Sequence, residues 1–495
     1  MNDILRRGRL GSEEDTNVLK YLSSMDADIN IFEADLLVDA AHVIMLSEVG
    51  IITWDECTLL LVSLEKIQQE GFRALDMSYE DIHVSIETRL IEMIGEDIGG
   101  RMHSARSRND EVATCIRLTL REKLIVLIRV VNELRKTLLL AAREHRQTIM
   151  PGFTHLQHAQ PTTLGHHLLA YHDAFARDYQ RLFGVYIRTN LSPLGAAAFA
   201  STGFDINRER TRELLGFDGL IENSMDAVST RDFIIESIST FSNVMTNLSR
   251  IAEELILWST EEFNFIELDD RFASTSSIMP QKKNPDTAEL IRAKTGTVHG
   301  CLMSVLSINK ALPMSYNRDM QEITPHLWNA TAAVTSSTQI VSGILSTMKI
   351  NTENMLSASK IGFTTATELA DTIVRTTELS FRTAHRIVGT MARSSEYTLE
   401  ETDRIAMQIT GIKLSEEGLT QQLFEEAMDI RHNIDRRDVV GGPMPREVCR
   451  MIEDREYQLT HDIDALGIKV NTVRDAMKRL EDIQRLFIAR VKNND

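Results

Sequence analysis

DEVATCIRLTLREKLIVLIRVVNELRKTLLLAAREHRQTIM, residues 110–150, contains neither glycine nor proline. Val112, Ile116, Leu120, Leu124, Leu127, Val131, Leu134 and Leu138 recur along it at helical spacing. A single helix of that length would run about 60 Å at 1.5 Å per residue. Ordinary globular helices are much shorter, and lengths like this belong to bundles or coiled coils. Working outward, the same pattern predicts helices over 163–183 after Pro161, from Met225 to about Phe265, from Asp286 to about Lys310, and over 325–348. No run of alternating strands interrupts them, which argues against a parallel sheet with crossovers. The expected fold is all-α, with a central long-helix bundle over 106–355. Shorter helices over 1–105 are punctuated by Gly50, Gly71, Gly95, Gly99 and Gly100. A third helical domain is expected over 356–495, broken at Gly441-Gly442-Pro443.

The chain has 495 residues, 43% hydrophobic, enough for two or three subdomains. Its formal net charge of −18 argues against nucleic acid or anionic membrane as partners, because both require basic surface. A small anionic substrate stays possible where local arginines and lysines reverse the field. Cys57, Cys115, Cys301 and Cys449 are scattered, with no zinc spacing, which fits a reduced cytoplasmic setting. The opening MNDILRRGRLGSEED lacks a signal-peptide core, and no apolar run is long enough for a bilayer.

Five polar segments fall at or near helix ends, where a rigid scaffold presents binding groups. Ser274–Asp286, STSSIMPQKKNPD, has almost no apolar periodicity and carries two prolines. It reads as a loop offering a base, two cations and an amide. Arg101–Asp110, RMHSARSRND, precedes the long helix, where free N–H groups favour anions. Its plain reading is an N-cap at Asn109 or Asp110 beside a solvated charge run. Pro151–Pro161, PGFTHLQHAQP, crowds imidazoles and amides into a short connection. His155 could act as acid or base there, or simply sit on the surface. Asp226–Phe233, DAVSTRDF, offers Arg231 for a forked grip on a carboxylate, or for a common surface pair with an aspartate. Pro313–Glu322, PMSYNRDMQE, offers Tyr316 and Gln321, or is an ordinary loop. No nucleotide-binding or HExxH spacing competes.

Together these segments resemble the fumarase/aspartase superfamily, whose signature loop reads GSSxMPxKxNP. The wording HSARSRND, PGFTHLQHAQP and SIMPQKKNPD is most similar to its argininosuccinate lyase family. Ser192–Ala196 (SPLGA) and Gly362–Asp371 (GFTTATELAD) extend the likeness over nearly the whole chain. The resemblance implies three mainly helical domains and a twenty-helix core in a homotetramer, with active sites built from three chains. It implies a small-molecule substrate, argininosuccinate, split reversibly into arginine and fumarate. No metal or organic cofactor is implied.

Carried over by position, Ser276 is the catalytic base, His155 the second catalytic group and Glu289 its carboxylate partner. Lys282 and Asn284 hold substrate carboxylates, with Lys282 also stabilising the charge that develops. Arg108, Asn109, Thr154, Ser229, Arg231, Tyr316 and Gln321 fall on binding positions. Ser24 and Asp28 resemble a pair near the arginine end, and His83 a histidine near the site. The resemblance is imperfect at five places. Thr275 stands for a usual Gly, Thr230 for an Asp, Thr324 for a Lys, Asp39 for a Ser, and Leu5–Leu10 (LRRGRL) only loosely follows LWGGRF.

The chemistry so implied removes a weakly acidic proton beside a carboxylate, leaving an aci-carboxylate that needs preorganised positive charge. Ser276 must be ionised by its surroundings, and the loop from Phe272 to Pro285 is expected to close over substrate. His155 is either the acid or a relay to it. Rival readings are another fumarate-forming lyase (adenylosuccinate lyase, fumarase or aspartase), a Ser–Lys hydrolase with Ser276 as nucleophile, a catalytically silent helical protein, and an oligomeric interaction module. The silent protein predicts damage at Ser276, His155, Lys282 or Glu289, and all four are present.

Overall fold

A computed structural model describes residues 15–394 and 396–491. The stretch Leu5–Leu10 lies outside them. The helices that position the site are α1 (Phe32–Glu48), α2 (Trp54–Glu70), α3 (Ile82–Ile94) and α4 (Arg108–Glu144). A hairpin follows, β1 (Ile149–Thr154) and β2 (Gln157–Thr163), leading into α5 (Leu164–Thr189). Then come α6 (Asp232–Trp258), the short strands β3 (Ser274–Thr275) and β4 (Lys283–Asn284), α7 (Asp286–Asn309), α8 (Ile323–Thr347) and the long α9 (Pro445–Val491).

The long-helix reading holds, with corrected ends. α4 starts at a capping box in which Ser107 accepts from the backbone of the first turn and Asp110 accepts from the Ser107 N–H at 3.0 Å. Ser107, rather than Asn109 or Asp110, is therefore the cap. The other Asp110 oxygen accepts from the N–H groups of Gly195 and Ala197, both at 2.9 Å, which ties the SPLGA loop to the start of the bundle. α4 stops at Glu144 rather than running to Met150, because Ile149-Met150-Pro151 pairs with Pro161-Thr162-Thr163. The helix expected from Met225 is broken in two, over Ser224–Ser229 and Asp232–Trp258. Thr230 Oγ1 donates to Asp232 at 2.6 Å and Asp232 accepts the Phe233 N–H at 2.7 Å, so short polar side chains take over the backbone's partners.

α4, α5, α6, α7 and α8 pack side by side, and α9 lies along α4 and α2. One continuous core joins them to α1–α3: Leu46, Leu60, Leu127, Phe175, Phe241 and Ile452 all belong to it. A separate small core gathers Leu369, Ile373, Ile387, Met391, Ile405 and Phe424. The long helices still expose large apolar groups, among them Val126, Leu140, Leu290, Met303 and Leu306. No helix among the described residues is long and apolar enough to cross a membrane.

Candidate active site

The N-terminal ends of α3 and α4, the break before α6 and the segment before α8 converge on a cleft of about 390 Å³. Ser24, Asp28, His83, Arg108, Asn109, Arg231, Tyr316 and Gln321 all line it, as does Thr324. Ser24 Oγ donates to Asp28 at 2.7 Å, and the Ile82 N–H approaches the same carboxylate at 3.3 Å. Burial lifts the Asp28 carboxyl to about 6, against the pull of the His83 charge. His83 Nδ1 lies 2.8 Å from Asp35 and 3.7 Å from Glu111, and these carboxylates hold its imidazole protonated well above the usual range despite burial. Arg108 pairs with Asp81 at 2.7 Å, and Asn109 Nδ2 donates to the Ala198 carbonyl. Gln321 and Arg318 both donate to the Leu22 carbonyl, at 3.0 and 2.8 Å.

Arg231 corrects the surface-pair reading. It is buried, and its Nη1 donates to the carbonyls of Val228 and Thr230 at 3.2 and 2.8 Å rather than to an aspartate. Burial lowers its guanidinium to about 10. Behind it Arg117, equally buried, lies 3.9 Å over the Phe233 ring and donates to the carbonyls that end α5. Burial and Arg231 bring Arg117 down to about 9. Two cations packed together under a cleft make it a place for an anion. Ser229 does not line the cleft; its hydroxyl meets the Met314 sulfur at 3.6 Å.

The remaining expected residues are at the other end of the bundle. α7 leads from the Ser276 loop to the segment carrying Tyr316, and its 24 residues span about 36 Å. α4 leads from Arg108 to the hairpin carrying Thr154 and His155, and its 37 residues span about 55 Å. In the loop, Ser274 pairs with Asn284 and Thr275 with Lys283. Thr275 is thus an extended residue, a conformation that suits a β-branched side chain. Ser276 Oγ accepts the N–H groups of Ile278 and Met279 at 3.3 and 3.1 Å. Two amide donors on one hydroxyl oxygen favour its anionic form. Lys282 and Lys283 are both exposed, and Lys283 is engaged with Asp270 at 2.6 Å and Glu267 at 3.3 Å. Lys282, Asn284 and Glu289 line a broad second hollow of about 930 Å³. His155 and Glu289 are both exposed.

Sequence reasoning missed the groups that support the cleft. Arg106, within the polar segment before α4, is buried between Asp39 at 2.6 Å and Glu111 at 2.9 Å. Its partner Asp39 is the residue that departs from the family's usual Ser. Asp35, His83 and Cys115, and Asp35, Asp39 and Glu111, bring ligand atoms within 4.8 Å of one another. Arg106 and the His83 imidazolium already supply cationic charge there. His103 also lines the cleft, and burial with Arg106 and Arg108 lowers it to about 4, leaving it neutral.

Known proteins decide the family. A lyase family model matches residues 13–300, and an argininosuccinate lyase C-terminal model matches residues 363–435. The argininosuccinate lyase of Methanosarcina mazei is 56% identical over 97% of this chain and 98% of its own length. The chain belongs to the argininosuccinate lyase family. Its similarity to the argininosuccinate lyase of Methanocaldococcus jannaschii is 48% identity over 97% of this chain and all of the relative. Among solved structures, EDDS lyase in complex with formate superposes with a TM-score of 0.86 at 31% identity, covering 97% of each chain. A class II fumarase from Schistosoma mansoni has the same fold, with a TM-score of 0.68 at 16% identity over 81% of this chain and 90% of its own.

Proposed function

We propose that this enzyme catalyses the reversible elimination of argininosuccinate to arginine and fumarate. The observation that carries the reading is the pairing of family membership with a hydroxyl, Ser276 Oγ, that already accepts two backbone N–H groups. In this reading the Ser276 alkoxide takes the proton from the succinyl carbon beside a carboxylate. The electron pair moves into that carboxylate as an aci-carboxylate, which Lys282 and Asn284 stabilise. The C–N bond then breaks, the guanidinium nitrogen leaves with a proton delivered through His155 and Glu289, and fumarate remains. Lys283 is engaged by Asp270 and Glu267, which leaves Lys282 as the loop's ammonium for substrate. Ser24, Asp28, Arg108, Asn109, Arg231, Tyr316 and Gln321 hold the substrate's charged ends, with Thr154 and Ser229 as further contacts and His83 supporting the wall. The loop from Phe272 to Pro285 closes over the substrate.

The spacing of these groups requires more than one chain at each site. Tyr316 and Arg108 lie about 36 and 55 Å along helices from the loop and the hairpin. A homotetramer with antiparallel helices would bring one copy's cleft to another's loop and to a further copy's hairpin. The exposed apolar faces of α4 and α7 favour such an assembly, since unpartnered patches on long helices mark interfaces. A cytoplasmic location fits the free cysteines.

The test is fumarate release, followed by ultraviolet absorbance, with argininosuccinate beside adenylosuccinate, malate and aspartate. Argininosuccinate should be the substrate turned over. Turnover of another of the four, with argininosuccinate inert, would overturn the assignment.

A further inference from the structure

His155 and Leu156 form the two-residue turn of the β1–β2 hairpin, since Thr154 pairs with Gln157 across it. Both have left-handed backbones, with φ of 56° and 58°. Turns of this kind ordinarily take Asn or Gly, which occupy that region with little strain. Leucine there is strained, and the residue is also 73% exposed. A residue unfavourable in both respects points to a requirement outside its own chain.

The hairpin is built to hold its tip firmly. Its strands shift register between Pro151 and Phe153, where a Cβ on Gly152 would lie 2.5 Å from the Gln160 carbonyl oxygen. Phe153 packs against Phe263 with ring centroids 5.8 Å apart, and His158 Nδ1 lies 3.2 Å from the Ile361 carbonyl. The tip residues Thr154, His155, Leu156 and Gln157 are all exposed and carry no carboxylate or ammonium. On a chain of net charge −18, such a tip can approach a second copy without charge repulsion. It cannot reach its own cleft, which lies at the opposite end of α4. That cleft has an apolar wall, formed by Ala27, Ile31, Val112, Ile116 and Met320, beside its polar groups.

We propose that Leu156 is the apolar anchor that docks the hairpin of one copy onto the cleft end of a second copy, and so acts as a positioning residue for His155. This rests on the shared-site reading above. Leu156 fills apolar space on the partner, and the strained turn aims His155 beside it.

The test uses the full chain and Leu156→Asn, which suits the left-handed turn but removes the apolar bulk. Circular dichroism verifies the fold; if Leu156→Asn is misfolded, Leu156→Gly replaces it. Sedimentation velocity over a dilution series should show assembly weakened at least tenfold. With argininosuccinate, kcat should fall at least tenfold while KM changes less than threefold. Leu156→Met, which keeps the bulk, should restore both. An unchanged dissociation constant overturns the docking, and an unchanged kcat overturns the positioning of His155. Equal losses in Leu156→Met would overturn the anchor as well. If the wild-type enzyme is inert toward argininosuccinate, the assigned reaction fails, yet the dissociation constants still decide the docking.

Discussion

Asp28 shows how a cleft residue can cost the fold stability. Its carboxyl is buried, and burial raises it from the ordinary 3.8 to about 6. The folded chain therefore keeps a proton there that the unfolded chain gives up earlier. The stability this contributes is present at low pH and is lost as pH rises through about 6. A tenfold change in proton affinity is worth roughly 1.4 kcal/mol, so ionised Asp28 costs on the order of 2–3 kcal/mol at about pH 7.5. Asp28→Asn should be more stable than the wild type by about that amount there, with the gain vanishing below the ordinary carboxyl value of 3.8. Urea melts at several pH values measure it, and a pH-independent difference would count against the burial argument. The identity of such residues was legible in short motifs, but their environments were not. Nothing in DAVSTRDF tells that Arg231 is buried on carbonyl oxygens rather than paired on a surface. Likewise, Ser276 was recognisable as a base candidate, yet the two amides on its oxygen appear only once the loop is folded.

Among the elements, the long helices were the most legible, because a glycine- and proline-free repeat at helical spacing has few other uses. The hairpin was not, since a His-Leu turn contradicts the usual turn residues. The break at Thr230 and Arg231 was hidden because it depends on which side chains capture backbone groups. The Ser276 loop was legible as a loop, but its anchor was not. Phe272 sits directly over Gly343 of α8, where a Cβ would lie 2.4 Å from the ring tip, and its carbonyl accepts from Thr287 at 2.6 Å. Gly343→Ala gains about 1 kcal/mol of helix propensity in principle. Here the Phe272 ring must move, and overpacking typically costs about 1–3 kcal/mol. The variant should be no more stable than the wild type, and displaced Phe272 should lower kcat several-fold. A thermal melt and steady-state kinetics check both; a more stable variant of full activity would show the anchor to be unimportant.

At the scale of the whole molecule, motifs named many of the residues that line the cleft but could not say where the groups lie relative to one another. The helix lengths do. The cleft and the Ser276 loop are separated by the length of α7, so the proposed chemistry joins one end of a copy to the other end of a different copy. The most direct measurement mixes two impaired variants, Ser276→Ala in the loop and Arg108→Ala in the cleft, which are purified separately, tagged differently, unfolded and refolded together. Isolated mixed assemblies should release fumarate from argininosuccinate well above either parent, because some sites then draw an intact cleft and an intact loop from different chains. Mixed assemblies that stay at the parents' rate would contradict the shared site.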